Sequence, residues 1–597
     1  MESSTDTTAI ANTATPVTTP TTTATPDLNY ANLDRLMHSY QAKLTMGMSP
    51  ASMMLAYLDW LFHLANSPGK QAELITKTQR DTARLAMYAS TAAIPAPGLK
   101  VPPIAQDSRF TASSWQVWPY NLMSQSFLMV EQWWQNATTN IPGVAQHSEN
   151  VVSFTARQVL DTVSPSNYPT TNPEIVETTI KEKGRNLVRG ANNFSEDLQR
   201  AMLKQNPPKS EKYVVGKTVA ATPGKVIYRN RLIELIQYSP TTDMVQAEPI
   251  LFVPAWIMKY YILDLKSDNS MVKYLVDKGH TVFMISWKNP TSEDRDISFD
   301  DYRTMGIMSA IEVISQVVPD RKIQAVGYCI GGTMLTITAA AMARDGDDRL
   351  KSLTLFTTQT DFTEAGDLMY FIDESQVDYL ENIMWRQGYL DTGQMAGAFQ
   401  MLRSNDLVWS KGVQDYLLGH REPLNDLMAW NADGTRLPYR MHSEYLRSMF
   451  LKNALFEGHF MVKGRPVSIS DIRIPVYIIA TAKDHVAPWK SVYKIMLPLD
   501  TDTTFVLTSG GHNAGIVSEP GHPRRSFQIA EHPSGSKYID PDTWKASIPV
   551  QKGSWWLKWQ EWLTLNSSGL VTPPVPGGSH YCFTPLADAP GTYVLQP

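Results

Sequence analysis

The sequence predicts an α/β fold preceded by a mainly helical N-terminal region. Apolar residues recur with helical spacing up to about residue 205. From about Val215 onward, short apolar runs of strand character alternate with helical stretches. In the middle of this alternation, one strand turns abruptly into a helix between Gly327 and Gly332. These observations divide the chain into a helical region, residues 27–205, and an α/β region, residues 206–597.

The helical region carries recognisable start signals. Ser49 is a suitable N-cap and Pro50 suits the first helical position, and an apolar periodic stretch follows them. Further stretches of helical spacing cover residues 125–134, 154–161 and 186–203. Most apolar side chains of such helices pack in a core, and the remainder can form a surface for a partner or an apolar polymer.

The α/β region alternates strands and helices in a regular order. Strands are predicted at residues 250–253, 281–285, 323–326 and 353–357, with helices at 271–278, 301–317 and 333–343 between them. Such alternation predicts a largely parallel sheet covered on both faces. The rhythm is irregular and rich in aromatic residues over about 361–472, which we interpret as a cap insertion. Strands return at residues 476–480 and 505–507.

Composition and charge exclude some classes of function. The chain has 597 residues, with 53 basic and 58 acidic side chains and a net charge of -5, so no basic field for nucleic acid is expected. Charged residues make up only 19%, while 16 Trp and 27 Met are present. This composition favours an apolar partner or a large apolar substrate.

Cysteine content and the N-terminal residues bear on location. Two cysteines, Cys329 and Cys582, cannot form a disulfide framework in a chain of this length, which favours a reducing compartment, by default the cytoplasm. No segment reaches the roughly 18 to 20 apolar residues of a membrane span. Residues 1–26 are rich in Thr, Ala and Pro, lack the basic start of a signal peptide, and are predicted to be a disordered tail.

The abrupt turn has the pattern of a nucleophile elbow. Gly327-Tyr328-Cys329-Ile330-Gly331 places a cysteine where a nucleophile stands in an α/β-hydrolase, with small residues two positions before and after it. The small residues are needed because larger side chains would collide around the strained turn. The alternative is that Cys329 is a buried small apolar residue, as many free cysteines are.

Candidates for the acid and the base follow in the order that this fold requires. Asp484 comes after the strand at 476–480, and His512 comes after the strand at 505–507. His512 would generate the thiolate of Cys329, and Asp484 would orient the imidazole. His485 is a competing base, but neighbouring side chains on an extended backbone point apart, so it is poorly placed to use Asp484.

An oxyanion formed at the site requires two backbone donors. One is the N–H of Ile330, directly after the nucleophile. The other should come from the loop after the strand at 250–253, where Pro254 has no N–H and either Ala255 or Trp256 must donate.

The chain resembles the polyhydroxyalkanoate (PHA) synthases, bacterial enzymes that polymerise 3-hydroxyacyl-CoA thioesters into storage polyester. Beyond the elbow, segments that are similar to the family are residues 107–110 with Trp115, 164–167, 171–174, 238–242, 259–265, 286–290, 402–403, 405–409, 430–435 and 553–556. The resemblance implies an α/β-hydrolase fold, with Cys329 as nucleophile, Asp484 as acid and His512 as base.

The resemblance also bears on subclass and on the oxyanion site. Tyr328 and Ile330 resemble the residues beside the cysteine in synthases for short side chains, and a helical N-terminal region is similar to the class I enzymes that need no accessory subunit. Family members usually have proline where Ala255 stands and asparagine where Met258 stands. By analogy with members that have both prolines, we assign the second oxyanion donor to Trp256.

The leading hypothesis is therefore a class I PHA synthase that polymerises short-chain (R)-3-hydroxyacyl-CoA and releases CoA. It implies no metal or cofactor beyond the CoA thioester substrate, a homodimer, and a cytoplasmic enzyme associated with the growing polyester and its granule surface. The alternatives are an intracellular PHA depolymerase or thioesterase of the same fold, in which water replaces the hydroxyl, and a catalytically silent granule-coating protein. The long helical region, the aromatic cap and the complete triad favour the synthase.

Overall fold

The computed structural model describes residues 30–45, 47–90, 100–103, 107, 109–203, 212–395, 397, 404–578 and 583–597. The predicted tail 1–26, Cys582 and the family-like pair Leu402-Arg403 lie outside the described residues. The predicted boundary between the two regions, at residues 205 and 206, also lies outside them, so the domain division stays a prediction. No helix in the described ranges is long and apolar enough to cross a membrane.

The N-terminal region is helical, as predicted. Its helices are α1 (Tyr30–Leu44), α2 (Pro50–Ala65), α3 (Pro68–Ser90), α4 (Tyr120–Thr138), α5 (Gln146–Thr162), α6 (Pro173–Lys181) and α7 (Arg185–Met202). Helix α2 begins with the predicted cap: the Ser49 hydroxyl accepts a hydrogen bond from the Ser52 amide, and Pro50 occupies the first turn.

An eleven-stranded sheet forms the centre of the α/β region. Its strands are β1 (Gly224–Arg229), β2 (Ile233–Tyr238), β4 (Ile250–Val253), β5 (Val282–Trp287), β6 (Ile323–Tyr328), β7 (Leu350–Phe356), β12 (Val476–Thr481), β13 (Thr503–Thr508), β14 (Ser526–His532), β15 (Gln551–Lys552) and β17 (Ala587–Asp588). Short pairs outside it are β3 (Val245–Gln246) with β16 (Leu570–Val571), β8 (Tyr389–Leu390) with β9 (Leu437–Pro438), and β10 (Met461–Val462) with β11 (Arg465–Pro466). The strand order in the sheet is β15-β14-β13-β12-β7-β6-β4-β5-β2-β1-β17.

The prediction of a largely parallel sheet was right only for its centre. The six strands from β13 to β5 are all parallel to one another, whereas the strands on either side of them pair antiparallel. For the pair of β1 and β2, the reason is local. Strands β1 and β2 are separated by only three residues, 230–232, which is too short for a helical crossover and permits only a hairpin.

The helices of the α/β region cover the sheet and fill the insertion. They are α8 (Met271–Asp277), α9 (Phe299–Asp301), α10 (Ser309–Val317), α11 (Ile330–Asp345), α12 (Glu374–Gln387), α13 (Asp426–Asn431), α14 (Tyr439–Tyr445), α15 (Trp489–Tyr493), α16 (Pro541–Ser547) and α17 (Trp556–Leu565). Turns of π-helix occur at Tyr302–Met308, Asn405–Ser410, Val413–Leu417 and Leu446–Leu451. The chain between β7 and β12 adds no strand to the main sheet in its described part, which is consistent with the irregular rhythm of the sequence there.

A buried ionic cluster ties the N-terminal helices together. Arg109 contacts Asp107 at 2.8 Å, Glu131 of α4 at 2.9 Å and Asp161 of α5 at 2.8 Å. The four side chains are each no more than 4% exposed. Burial raises the pKa of Glu131 and of Asp161, and the charge of Arg109 opposes that rise. The guanidinium thus compensates three desolvated carboxylates.

Replacing Arg109 by methionine should destabilise the N-terminal helices by about 3–5 kcal/mol, because buried carboxylates would lose their counter-ion. Thermal unfolding followed by circular dichroism measures the loss. The matched control is Arg200→Met, whose side chain is 31% exposed and paired on the surface of α7, and which should cost about 0–1 kcal/mol. The loss in Arg109→Met should shrink toward acid pH, because protonated carboxyls need no counter-ion. Equal melting curves for the two variants would contradict this role of the cluster.

Candidate active site

Strand β6 and helix α11 meet at Cys329, which is the only residue between them. Its backbone has φ 54° and ψ -127°, a conformation that is rarely adopted by a residue with a side chain. The Cys329 amide donates to the Phe356 carbonyl at 2.9 Å, which fixes the turn against the end of β7. The strained backbone leaves the thiol half-buried at the wall of a cavity.

The glycines around the turn permit backbone contacts that no other residue would allow. A Cβ on Gly327 would lie 2.4 Å from the Gly332 Cα, and a Cβ on Gly331 would lie 2.4 Å from the Val253 carbonyl oxygen. These distances explain why the sequence has small residues on both sides of the cysteine. They also show that the first turn of α11 lies directly against the loop after β4.

Asp484 follows β12 and is held by three donors, one at the end of that strand and two in its own loop. Its Oδ2 accepts from the Thr481 hydroxyl at 2.9 Å, and its Oδ1 accepts from the amides of Val486 at 2.9 Å and Ala487 at 2.8 Å. Burial alone would raise the pKa of Asp484, but His512 and these hydrogen bonds hold it below its usual value. The fully buried carboxylate therefore stays ionised.

His512 lies between the carboxylate and the thiol. Its Nδ1 is 2.8 Å from Asp484 Oδ2. Burial alone would lower the pKa of His512, but the charge of Asp484 and the neighbouring Cys329 raise it well above its usual value. The imidazole therefore lies where it can take the proton of the Cys329 thiol, which is the step that activates a nucleophilic cysteine.

Tyr328 packs against the imidazole of His512, and Asn513 binds the Tyr328 hydroxyl. The Tyr328 ring stacks on His512 with centroids 5.7 Å apart and planes at 25°, and its hydroxyl donates to Asn513 Oδ1 at 2.5 Å. Sequence reasoning used Tyr328 only for its resemblance to short-chain synthases and did not identify Asn513. The one signal available was that each residue is adjacent to a candidate of the triad, which does not indicate that their side chains meet.

The competing histidine, His485, lies near the Asp367 carboxylate and not near that of Asp484. Its Nδ1 is 3.8 Å from Asp367 Oδ2, and its carbonyl accepts a hydrogen bond from the Asp367 amide at 3.3 Å. About a third of its side chain is exposed. The structure thus brings His512, and not His485, to the Asp484 carboxylate.

The predicted oxyanion donors lie near one another, on the elbow and on the loop after β4. The Ile330 amide begins helix α11, so no acceptor within the helix is available to it. The Trp256 side chain is buried against Trp287 and Tyr302, with centroids 5.4 and 4.3 Å away, and Ile257 lines the cavity beside Cys329 and Ile330. This packing does not select between the Ala255 and Trp256 amides, so the assignment of Trp256 stays a prediction.

The thiol opens into a cavity of about 1280 Å³, to which the insertion contributes His442 and Tyr445 of α14. Burial lowers the pKa of His442 to about 4, so this imidazole is neutral. Burial, together with the Cys329 charge, raises the pKa of Tyr445 well above its usual value. The sequence predicted an aromatic cap over the site but none of these residues, because their contacts with the site depend on the irregular path of the insertion.

No group of three or more His, Cys, Asp or Glu side chains in the described part of the chain is arranged to hold a metal ion.

Family models match most of the chain. Two describe the N-terminal part of poly-beta-hydroxybutyrate polymerase (PhaC) and match residues 29–70 and 106–275. A third describes the alpha/beta hydrolase fold and matches residues 248–518. The fold class predicted from the elbow and the strand order is therefore confirmed.

Curated relatives agree with these matches over most of their own length. A poly(3-hydroxyalkanoate) polymerase of Methylorubrum extorquens is 39% identical over 88% of this chain and 87% of its own. The PhaC subunits of the polymerases from Rhizobium meliloti and Cupriavidus necator are 38% and 34% identical, each over 82% of this chain and over 79% and 83% of their own. Because identity at this level extends over most of this chain and most of each relative, the chain belongs to the poly(3-hydroxyalkanoate) polymerase family.

Proposed function

We propose that the chain polymerises short-chain (R)-3-hydroxyacyl-CoA thioesters into polyhydroxyalkanoate with release of CoA, through a Cys329–His512–Asp484 covalent mechanism. As a member of its family it is an enzyme that transfers hydroxyacyl groups. The observation that carries the mechanism is the continuous arrangement of carboxylate, imidazole and strained cysteine at the wall of a large cavity.

In the first step the Cys329 thiolate attacks the thioester carbonyl of the substrate. The amides of Ile330 and Trp256 would stabilise the oxyanion that forms. As the tetrahedral intermediate collapses, the bond to the CoA sulfur breaks, and the His512 imidazolium protonates the departing thiolate. The products of this step are acyl-Cys329, free CoA and neutral His512.

In the second step neutral His512 accepts the proton of a 3-hydroxyl group. The alkoxide oxygen attacks the acyl-Cys329 carbonyl, an ester bond forms, and Cys329 leaves as the thiolate beside the new imidazolium. The ion pair of the resting site is thereby restored. When the hydroxyl belongs to another acyl-CoA, the extended acyl group remains a CoA thioester and can acylate Cys329 again.

The relatives favour transfer to a hydroxyl over hydrolysis, because the similar chains are named polymerases. Water attack on acyl-Cys329 would instead make the chain a depolymerase or a thioesterase. No metal or redox cofactor is part of the proposal, because His512 and the backbone donors supply the proton transfer and the oxyanion stabilisation, and neither step changes an oxidation state. Association with a polyester granule in the cytoplasm, as a homodimer, belongs to the same proposal. The exposed apolar residues Val188, Phe194 and Met202 of α7 are candidate contacts with such a surface.

Cys329→Ala should abolish both CoA release and polyester formation from 3-hydroxybutyryl-CoA, because the covalent step is lost while a folded protein remains. Free thiol and insoluble polyester are measured together, with circular dichroism as the test of folding. Cys582→Ala is the matched control and should behave as wild type. Turnover retained in Cys329→Ala would rule out the mechanism, and release of free 3-hydroxybutyrate without polymer by the wild type would favour the hydrolase.

His512→Ala should lower CoA release by several orders of magnitude, the scale expected when the base of a triad is removed. His485→Ala is the matched control and should cost far less, since its ring faces Asp367. Asp484→Asn should fall between them, because the imidazole would lose its orienting acceptor. Steady-state CoA release by folded variants measures all three. A dead His485→Ala with a nearly normal His512→Ala would assign the base to the other histidine.

Four-carbon substrates should be incorporated much better than those with eight or more carbons. This expectation rests on Tyr328 and Ile330, which flank the nucleophile and resemble the residues at those positions in synthases for short side chains. The measurement is a competition between four-carbon and ten-carbon 3-hydroxyacyl-CoA, with polymer composition read by chromatography. A polymer dominated by the longer monomer would show this expectation to be wrong.

A further inference from the structure

The cavity at Cys329 is larger than one monomer requires. Its volume of about 1280 Å³ exceeds the roughly 300–1,000 Å³ of pockets that enclose a drug-sized ligand. A four-carbon hydroxyacyl group is much smaller than such a ligand. The cavity therefore has room for several joined units beyond the one attached to the thiol.

The N-terminal helices form part of the cavity wall. Residues that line the cavity from helices α1, α2, α5 and the loop between α1 and α2 include Ala42, Met48, Met53, Val151, Phe154 and Gln158. The remaining wall comes from the elbow and the insertion. None of these N-terminal residues belongs to the triad or the oxyanion site.

Specific contacts hold this wall in place against the insertion. The Gln376 side chain of α12 accepts from the Ser49 amide at 2.7 Å and donates to the Gly47 carbonyl at 2.9 Å. The Phe154 ring packs on Tyr370 and Phe371 with centroids 5.5 and 5.4 Å away. The N-terminal helices are thus bonded to the segment that covers Cys329.

The chemistry of the lining suits a polyester. No carboxylate lines the cavity among the described residues, and its charged residues there are Lys43 and Arg386. Gln158 adds an amide donor among apolar side chains. An aliphatic polyester has apolar carbons and ester carbonyls that only accept hydrogen bonds, so it needs apolar contacts with occasional donors and no acceptor-only groups.

We propose that the part of the cavity walled by α1, α2 and α5 is a binding site for the growing polyester chain, and that it keeps the chain on the enzyme between additions. This inference rests on the proposed function. A chain held there is released less often before the next addition, so the occupancy of this site sets polymer length.

Filling the site from the N-terminal side tests the proposal in the full-length protein. Met53→Trp and Gln158→Trp place a bulky ring into the cavity from two different helices. Their neighbours provide matched controls, because Met54 is 57% and Val159 61% exposed and neither lines the cavity. Each variant polymerises 3-hydroxybutyryl-CoA, and polymer length is measured by size-exclusion chromatography, with KM for the monomer measured alongside.

The expected result is a several-fold shorter polymer from Met53→Trp and Gln158→Trp, and wild-type length from Met54→Trp and Val159→Trp. Met53→Phe, a milder change, should shorten the polymer less and guards against misfolding of the larger variant. Wild-type polymer length in both cavity variants would overturn the proposal. A raised KM for the monomer with unchanged polymer length would also overturn it, because that result would assign the N-terminal wall to CoA binding. A wild-type enzyme that forms no polymer would instead defeat the proposed function itself.

Discussion

The site depends on one backbone constraint, the positive φ of Cys329 between β6 and α11. That conformation is unfavourable for a residue with a side chain and persists only where the surroundings impose it. Here the Phe356 carbonyl of β7 accepts a hydrogen bond from the Cys329 amide. Gly327, Gly331 and Gly332 let the helix, the strand and the loop after β4 approach one another within distances that a Cβ would prevent. The same close approach brings the loop after β4 beside the cysteine.

The electrostatic surroundings of Cys329 come from elements far apart in the sequence. The Asp484 carboxylate is stabilised by donors of its own loop, and its charge then stabilises an imidazolium at His512. Because the carboxylate is fully buried and the imidazole is only 13% exposed, their interaction is screened less than it would be on the surface. Tyr328 fixes the imidazole plane by stacking on it.

Much of this arrangement could be predicted from the sequence because it is encoded locally. The elbow is a pattern of small residues within six positions, and Asp484 and His512 each follow a recognisable apolar strand. Helix α2 likewise begins where Ser49 and Pro50 indicate.

The antiparallel strand β14 and the hairpin of β1 and β2 were not predicted, because the alternation of strands and helices was the only signal used for topology. The position of Asn513 and the N-terminal wall of the cavity could not be predicted from the sequence, for a different reason. They depend on contacts across the tertiary structure that leave no periodic trace in the chain.

The hydrogen bond from the Ser49 amide to Gln376 spans 327 residues, and this separation has a consequence for how the protein is made. On the ribosome, the N-terminal helices are complete long before α12 has been synthesised. Until then, the apolar side chains that later line the cavity have no cover, and Gly47 and Ser49 have no glutamine to bond. Contacts of such long sequence separation form late, since the entropy of closing the loop must be overcome first. Assembly of the cavity therefore has to await the synthesis of α12, and until then the apolar faces of the nascent N-terminal helices are open to aggregation.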